Sequence, residues 1–286
     1  MALNWKIFTR RPYIQSLSLE EQIRLFQIAN EKSIRLRESK FQDFANSNST
    51  SQGAAGDGDT AVVGFTNTRS LAFDGINDQV AYNNSIGNGF SAITVSAWAK
   101  FESIDNTYES ILSKDGSSQR TWGLARWRSG LGGGVYFMIN NGSTTYFSDP
   151  SPATDFVPVA GEWNHFIGLY NGAEVKLYVN GNTTPVSNTG ATGTINTTTS
   201  QVKVGNSDYS EILHGGVDEV GIWNRALTDS EIEQVYNGGA ASDLTSLSPL
   251  HWWRFEEGSG TTAIDLGSGA VNGTITSATY TTDVPT

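Results

Sequence analysis

The residues best suited to chemistry in this 286-residue chain are acids, aromatics and arginines, because it holds no cysteine and only three histidines. Zero Cys excludes thiolate nucleophiles, disulfide frameworks and Cys-ligated zinc or iron–sulfur sites. His165, His214 and His251 are too few for a His-rich catalytic metal centre. Retaining cleavage of a glycosidic bond needs two carboxyl groups about 5 Å apart, which a strand supplies by alternating acids on one face. No Glu-x-Asp-x-x-Glu run is present. Asp218-Glu219 and Glu256-Glu257 are adjacent acids that a regular strand points to opposite faces, and no Gly-x-Ser-x-Gly nucleophile turn occurs. The pattern predicts a protein that is not an enzyme.

Two other constellations remain. Asp218 shares strand parity with Val220 and Ile222, so its carboxylate is expected on the core side, where it must be paired, hydrogen-bonded or metal-bound. Trp122, Trp127, Tyr136 and Tyr146, with Arg126 and Arg128 beside them, are the types that stack on sugar rings and orient them. The competing reading of these aromatics is core or edge packing. Ser113-Lys114-Asp115-Gly116 through Trp122 resembles a sialidase Asp-box, but the spacing is wrong. Asn48, Asn141, Asn182, Asn196 and Asn272 open Asn-x-Ser/Thr sequons, which without a secretory signal read as a by-product of a Thr- and Asn-rich surface.

The elements that must position these residues follow from patterning. Residues 1–44 carry eight basic and five acidic side chains, leaving a body with ten basic and 24 acidic ones, a net of −14. Such a body repels nucleic acid and anionic membrane, and no apolar run approaches the ~18 residues that span a bilayer. Residues 1–46 read as a basic arm, with Trp5, Phe8, Arg10 and Arg11, followed by a helix opened by the capping box Ser18-Leu19-Glu20-Glu21. Arg10-Arg11 resembles a twin-arginine signal, but Glu20, Glu21 and Arg24 stand where its apolar stretch belongs. Leu19, Ile23, Phe26, Asn30, Ile34, Phe41 and Phe44 form a stripe at helical spacing, with Asn30 placed to set register in an oligomer. The alternative is a helix packed on its own domain. Residues 47–60 lack large apolar side chains and read as a linker. From Ala61 the period changes to two: Ile93, Val95, Ala97, Ala99 and Phe101 alternate with polar or bulky neighbours, and Asn141-Gly142, Asn171-Gly172 and Asn180-Gly181 supply hairpin turns. Thr228 to Tyr236 alone reads as helix in this body. An antiparallel β-sandwich is expected.

The strand Ser70 to Val80 with its acidic turn, Phe90 to Lys100, the pair Gly161-Glu162-Trp163-Asn164-His165-Phe166 and Val175 to Gly181, and Val217 to Ile232 occur in a characteristic order. Over residues 61–240 the chain thereby resembles the laminin-G-like, concanavalin A-like jelly-roll family. The resemblance implies a mainly β jelly-roll sandwich with no required cofactor, and calcium near the acidic turn as in some members, with Asp74, Asn77, Asp78 and Asp218 as oxygen ligands; the alternative is that Asp218 bonds backbone N–H groups and the turn simply makes a loop. Residues 241–286, including Trp252-Trp253-Arg254-Phe255, resemble a segment that ordinarily precedes such a domain; it is expected to fold back as a permuted edge. The layout of arm, helix, linker and jelly roll resembles virion surface proteins of tailed bacteriophages, either fibres or capsid decoration proteins. That analogy implies anchoring of residues 1–46 to virion proteins, a homo-oligomer with a trimer favoured, and adhesion to a host-surface glycan. The alternatives are a stand-alone bacterial carbohydrate-binding module and a glycosidase.

Overall fold

The computed structural model describes residues 65–286 except 84, 106, 117–118 and 149–155. The proposed anchoring residues Trp5, Phe8, Arg10, Arg11, Leu19, Ile23, Phe26, Asn30, Ile34, Phe41 and Phe44, and the linker, lie outside the described residues. Phe65–Thr286 forms one compact unit.

Sixteen strands are described: β1 Ser70–Asp74, β2 Gln79–Ala81, β3 Ile93–Phe101, β4 Glu109–Gly116, β5 Gln119–Arg126, β6 Val135–Asn140, β7 Thr145–Phe147 and β8 Asn164–Tyr170. The rest are β9 Glu174–Val179, β10 Val186–Thr189, β11 Lys203–Val204, β12 His214–Trp223, β13 His251–Trp253, β14 Thr262–Ala263, β15 Gly273–Thr276 and β16 Thr279–Thr281. They make an antiparallel β-sandwich of jelly-roll type. One sheet runs β10-β9-β8-β3-β12-β1-β16, with β13 also on β12; the other runs β14-β15-β2-β11-β4-β5-β6-β7.

Period-two patterning explains the core between the sheets. Ile93, Val95, Ala97, Ala99 and Phe101 of β3 all face inward, as do Val175 and Leu177 of β9 and Trp122 and Leu124 of β5. A second apolar layer covers the outside of the first sheet, where Ile167, Leu169 and Trp223 meet Ile232 and Val235 of the helix α1, Asp229–Tyr236. Thr228 caps α1 through a reciprocal bond with Glu231. The β9–β10 turn needs its Asn-Gly pair. Asn180 and Gly181 have φ of 50° and 66°, and a Cβ on Gly181 would lie 2.1 Å from the Tyr236 ring of α1.

Residues 241–286 complete both sheets: β13 lies on β12, β14 and β15 extend the second sheet from β2, and β16 pairs with β1. Asp265 holds this segment's loop, accepting from His251 Nδ1 at 2.7 Å and from the backbone N–H groups of Trp252, Gly267 and Val271. Burial raises the Asp265 pKa, but these hydrogen bonds outweigh it and hold the carboxyl below its ordinary value.

The two sheets pack tightly where β8 faces β6. A Cβ on Gly168 would lie 2.3 Å from the Phe137 ring, at a backbone position that imposes no positive φ. Gly168→Ala is therefore expected to lose about 1–3 kcal/mol through overpacking, read by denaturant unfolding; an unchanged midpoint would show that the sheets have slack there.

Candidate functional site

Strand alternation on β5 sorts the aromatic and arginine candidates. Trp122 and Arg126 share the inward face with Leu124 and are both 0% exposed, so neither is a sugar contact. Arg126 instead fastens a loop. Its Nε donates to Glu109 Oε2 at 2.8 Å, Nη1 donates to the carbonyls of Asp105 and Trp127, and Nη2 reaches the Thr107 carbonyl and the Glu109 and Asp105 carboxylates. Tyr146, opposite Ile139 on β7, packs on the core side.

The outward face of the same strands carries Ala125, Trp127, Tyr136, Met138 and Phe147 as a separate apolar cluster. Trp127 is half-buried, with its ring centroid 4.4 Å from Tyr136, 5.4 Å from Phe147 and 5.9 Å from Tyr108. Tyr136 is 2% exposed and supports Trp127 from beneath rather than offering its own face. Arg128 sits over Tyr108, its guanidinium carbon 6.0 Å from the ring centroid. Tyr108 and Phe147 complete a ridge that the sequence reading missed. Tyr108 rests on the loop that Arg126 holds, a dependence with no local signature. Phe147 was accessible in principle, as the outward neighbour of an inward Tyr146.

Beyond Tyr136 the ridge gives way to a polar network. Arg120 Nη1 lies 3.1 Å from Asp115 Oδ2, and its guanidinium covers the Tyr209 ring at 4.8 Å. Arg120 also bonds the Tyr136 hydroxyl. Burial pushes the Asp115 carboxyl up to about 7, with Glu211 and Asp208 adding to the rise and Arg120 opposing it. Tyr209 is 39% exposed and so is open to a ligand. A different depression of about 420 Å³, lined by Ala81, Tyr82, Asn83, Gln201, Asn272 and Thr274, has its one ring, Tyr82, buried and offers no stacking face.

The four residues assigned to calcium do not converge. Asp74 lies opposite His214 on β12, whereas Asp218 lies four residues further along, opposite Trp98. Within the turn, Asp74 Oδ1 accepts from Ile76 N–H, Asp78 Oδ2 accepts from Asp74 N–H, and Asn77 is exposed. Two carboxylates serving their own turn fall short of the six to eight oxygens calcium takes, and no cluster of three or more acids or histidines among the described residues has metal-holding geometry.

Asp218 also departs from its expected face. A β-bulge between Asp218 and Gly221, with Glu219 at φ 48°, resets the alternation. Val217 and Val220 point inward, while Asp218 and Glu219 both lie on the outer side. Asp218 accepts from Asn67 Nδ2 and from Glu219 N–H; Glu219 accepts from Trp252 Nε1 and Arg254 Nε. Burial raises both pKa values, that of Glu219 to about 7 against the pull of Arg254.

With this geometry in place, the chain can be set against known proteins. Residues 73–233, more than half of the chain, match the family model described as the concanavalin A-like lectin/glucanases superfamily. The chain belongs to this family. No curated protein sequence matches it. Solved structures with the superfamily sandwich include a Bacteroides ovatus protein named a "putative carbohydrate binding protein", 19% identical with a TM-score of 0.55, the match covering 77% of this chain and 62% of that one. The chain thus spans less than two thirds of that protein's length. A heptameric SAP-like pentraxin from Limulus polyphemus is 15% identical with a TM-score of 0.49, covering 73% of this chain and 96% of the pentraxin. A CBM40 from a Ruminococcus gnavus sialidase is 16% identical with a TM-score of 0.43, covering 59% of this chain and 97% of its own. The family match and the Bacteroides ovatus likeness agree on the fold alone, and the site is argued from the residues above.

The pH response of that site has a definite sign. The folded Asp115 pKa, about 7, lies above the ~3.9 of an unfolded Asp. The fold therefore favours the protonated form, and its contribution is full below the unfolded value and lost as pH rises through the folded one. Asp115→Asn is expected to gain stability relative to the parent between about pH 5 and pH 8, in paired denaturation curves. A pH-independent difference would contradict this assignment.

Proposed function

We propose that the Phe65–Thr286 sandwich is a glycan-binding module that acts by recognition rather than catalysis. The observation carrying this reading is the half-buried ridge of Trp127, Tyr108 and Phe147 on an outward sheet face, continuous through Tyr136 with the Arg120 and Tyr209 side chains. Aromatic faces take the apolar face of a sugar ring, and a few fixed polar groups orient its hydroxyls. The name of the Bacteroides ovatus protein agrees with this reading. Recognition over hydrolysis is supported by the state of the acids. Asp115 is 3% exposed with its second oxygen covered, and Asp218 and Glu219 are sealed beneath Asn67, Trp252 and Arg254.

The finer reading is display on the surface of a tailed-phage virion, as a fibre or capsid decoration protein, anchored and oligomerised through residues 1–46. It is supported by the change from a basic, helix-patterned arm to an acidic β body across residues 47–60.

Two outcomes are expected. Trp127→Ala should abolish retention on a glycan array that the parent binds, with the unfolding free energy lowered by no more than about 2 kcal/mol because the ring is only half-buried; retained binding would move the site elsewhere. The full chain should have an oligomeric mass by light scattering, and a chain beginning near Ala61 should be monomeric. Monomers in both cases would favour a stand-alone module.

A further inference from the structure

Among the described residues, the charged heads of basic side chains meet acids or carbonyls almost everywhere. Lys100, Arg120, Arg126, Lys176, Lys203, Arg225 and Arg254 each meet a carboxylate, and Lys114 donates to the Ser200 carbonyl. Arg69 and Arg128 are the exceptions, and only Arg128 adjoins the aromatic ridge. Its Nε is buried and has no acceptor. A guanidinium N–H withdrawn from water without an acceptor is costly, and an anionic acceptor beside the guanidinium would offset that cost.

The residue is held ready for that acceptor. Its backbone carbonyl takes the N–H groups of Leu131 at 2.9 Å and Gly133 at 3.2 Å, which fixes it at the mouth of a tight turn. Its guanidinium lies over Tyr108, the same ring that meets Trp127 edge-on at 5.9 Å. A sugar stacked on the ridge therefore has one flank against Arg128. A guanidinium matches a carboxylate with two parallel hydrogen bonds, and partial burial strengthens the pair.

We propose that the preferred ligand is an oligosaccharide ending in a single carboxylate-bearing sugar, whose carboxylate pairs with Arg128 while its ring stacks on Trp127. This rests on the reading of the ridge as the glycan site. Charge narrows the class further. The body from residue 45 onward has a net of −14, which repels a polyanion along its length but scarcely opposes one acid delivered to an unpaired cation.

The test is calorimetric titration of the full chain at low salt with four probes. These are sialyllactose, a glucuronate-terminated disaccharide, lactose as a neutral sugar, and polygalacturonate as a polyanion. At least one of the two acid-terminated probes should bind about tenfold more tightly than lactose, in line with a charge-assisted pair, and which one binds separates a sialic from a uronic terminus. Arg128→Gln should reduce that probe to the level of lactose, Arg128→Lys should restore part of the preference, and Trp127→Ala should remove binding of both. The Arg128→Gln unfolding midpoint should stay close to the parent's, since no internal ion pair is lost and only the stacking over Tyr108 is removed. Lactose binding that depends on Trp127 without any acid preference would overturn this inference and leave the ridge reading standing. A preference that survives Arg128→Gln, or polygalacturonate binding more tightly than the single-acid probes, would also overturn it. No binding of any probe would overturn both readings.

Discussion

A strand with one face in a core can show a ligand only the residues of its other face, and this constraint organises the whole site. On β5 it sends Trp122, Leu124 and Arg126 inward and leaves Ala125, and Trp127 just past the strand, on the outside. An arginine on an inward face would be prohibitive alone. Arg126 is tolerated because Glu109 and the loop carbonyls of Asp105 and Thr107 satisfy its guanidinium. The same bonds fix the loop that presents Tyr108 to Trp127. The buried cation thus acts on the surface indirectly, as a positioning residue for a ring it never touches.

The one place where alternation breaks is equally specific. Along one edge β12 is paired with β1 over Val217 and its preceding residues, then with β13 from Val220 onward. The bulge at Asp218-Glu219 falls at the junction of these two partners. There Asn67, just before β1, donates to Asp218, and Arg254, just after β13, donates to Glu219. Phe65 stacks on Trp252 and lies under the Arg254 guanidinium at 4.1 Å. These two adjacent acids are therefore a joint. They fasten chain segments that are nearly 190 residues apart, and their raised pKa values are the cost of burial at that joint.

How far the sequence could be read depended on whether local pattern or distant contact set the outcome. The sandwich, the α1 capping box and the β3 and β9 faces were legible because period two, Asn-Gly turns and Thr228-x-x-Glu231 act within a few residues. Simple parity places Trp122 and Trp127 on opposite sides, so Trp122 takes the core-packing alternative, a distinction that residue type alone does not show. Asp218 was misassigned for the opposite reason. Parity was applied through a bulge whose cause, the handover between β1 and β13, lies far away in the chain. The four calcium candidates are spread apart for a related reason, since an oxygen-rich turn says nothing about how far along β12 its fourth member sits.

The form of the site also bears on how the protein must be used. The ridge lies on an outward sheet face and lacks the walls of an enclosed pocket, which would bury most of a ligand's surface. On the proposed glycan-binding reading, stacking on one half-buried tryptophan with a few hydrogen bonds would leave little surplus once the ligand's lost freedom is offset, so a single copy would hold its sugar weakly. On the same reading, residence on a glycan-coated surface would come from the number of copies presented together, where each engaged site raises the effective concentration for the next. Within the proposed reading, this gives residues 1–46 a physical task. An arm that gathers several sandwiches converts a contact too brief to matter singly into attachment, and it does so without altering any residue of the ridge.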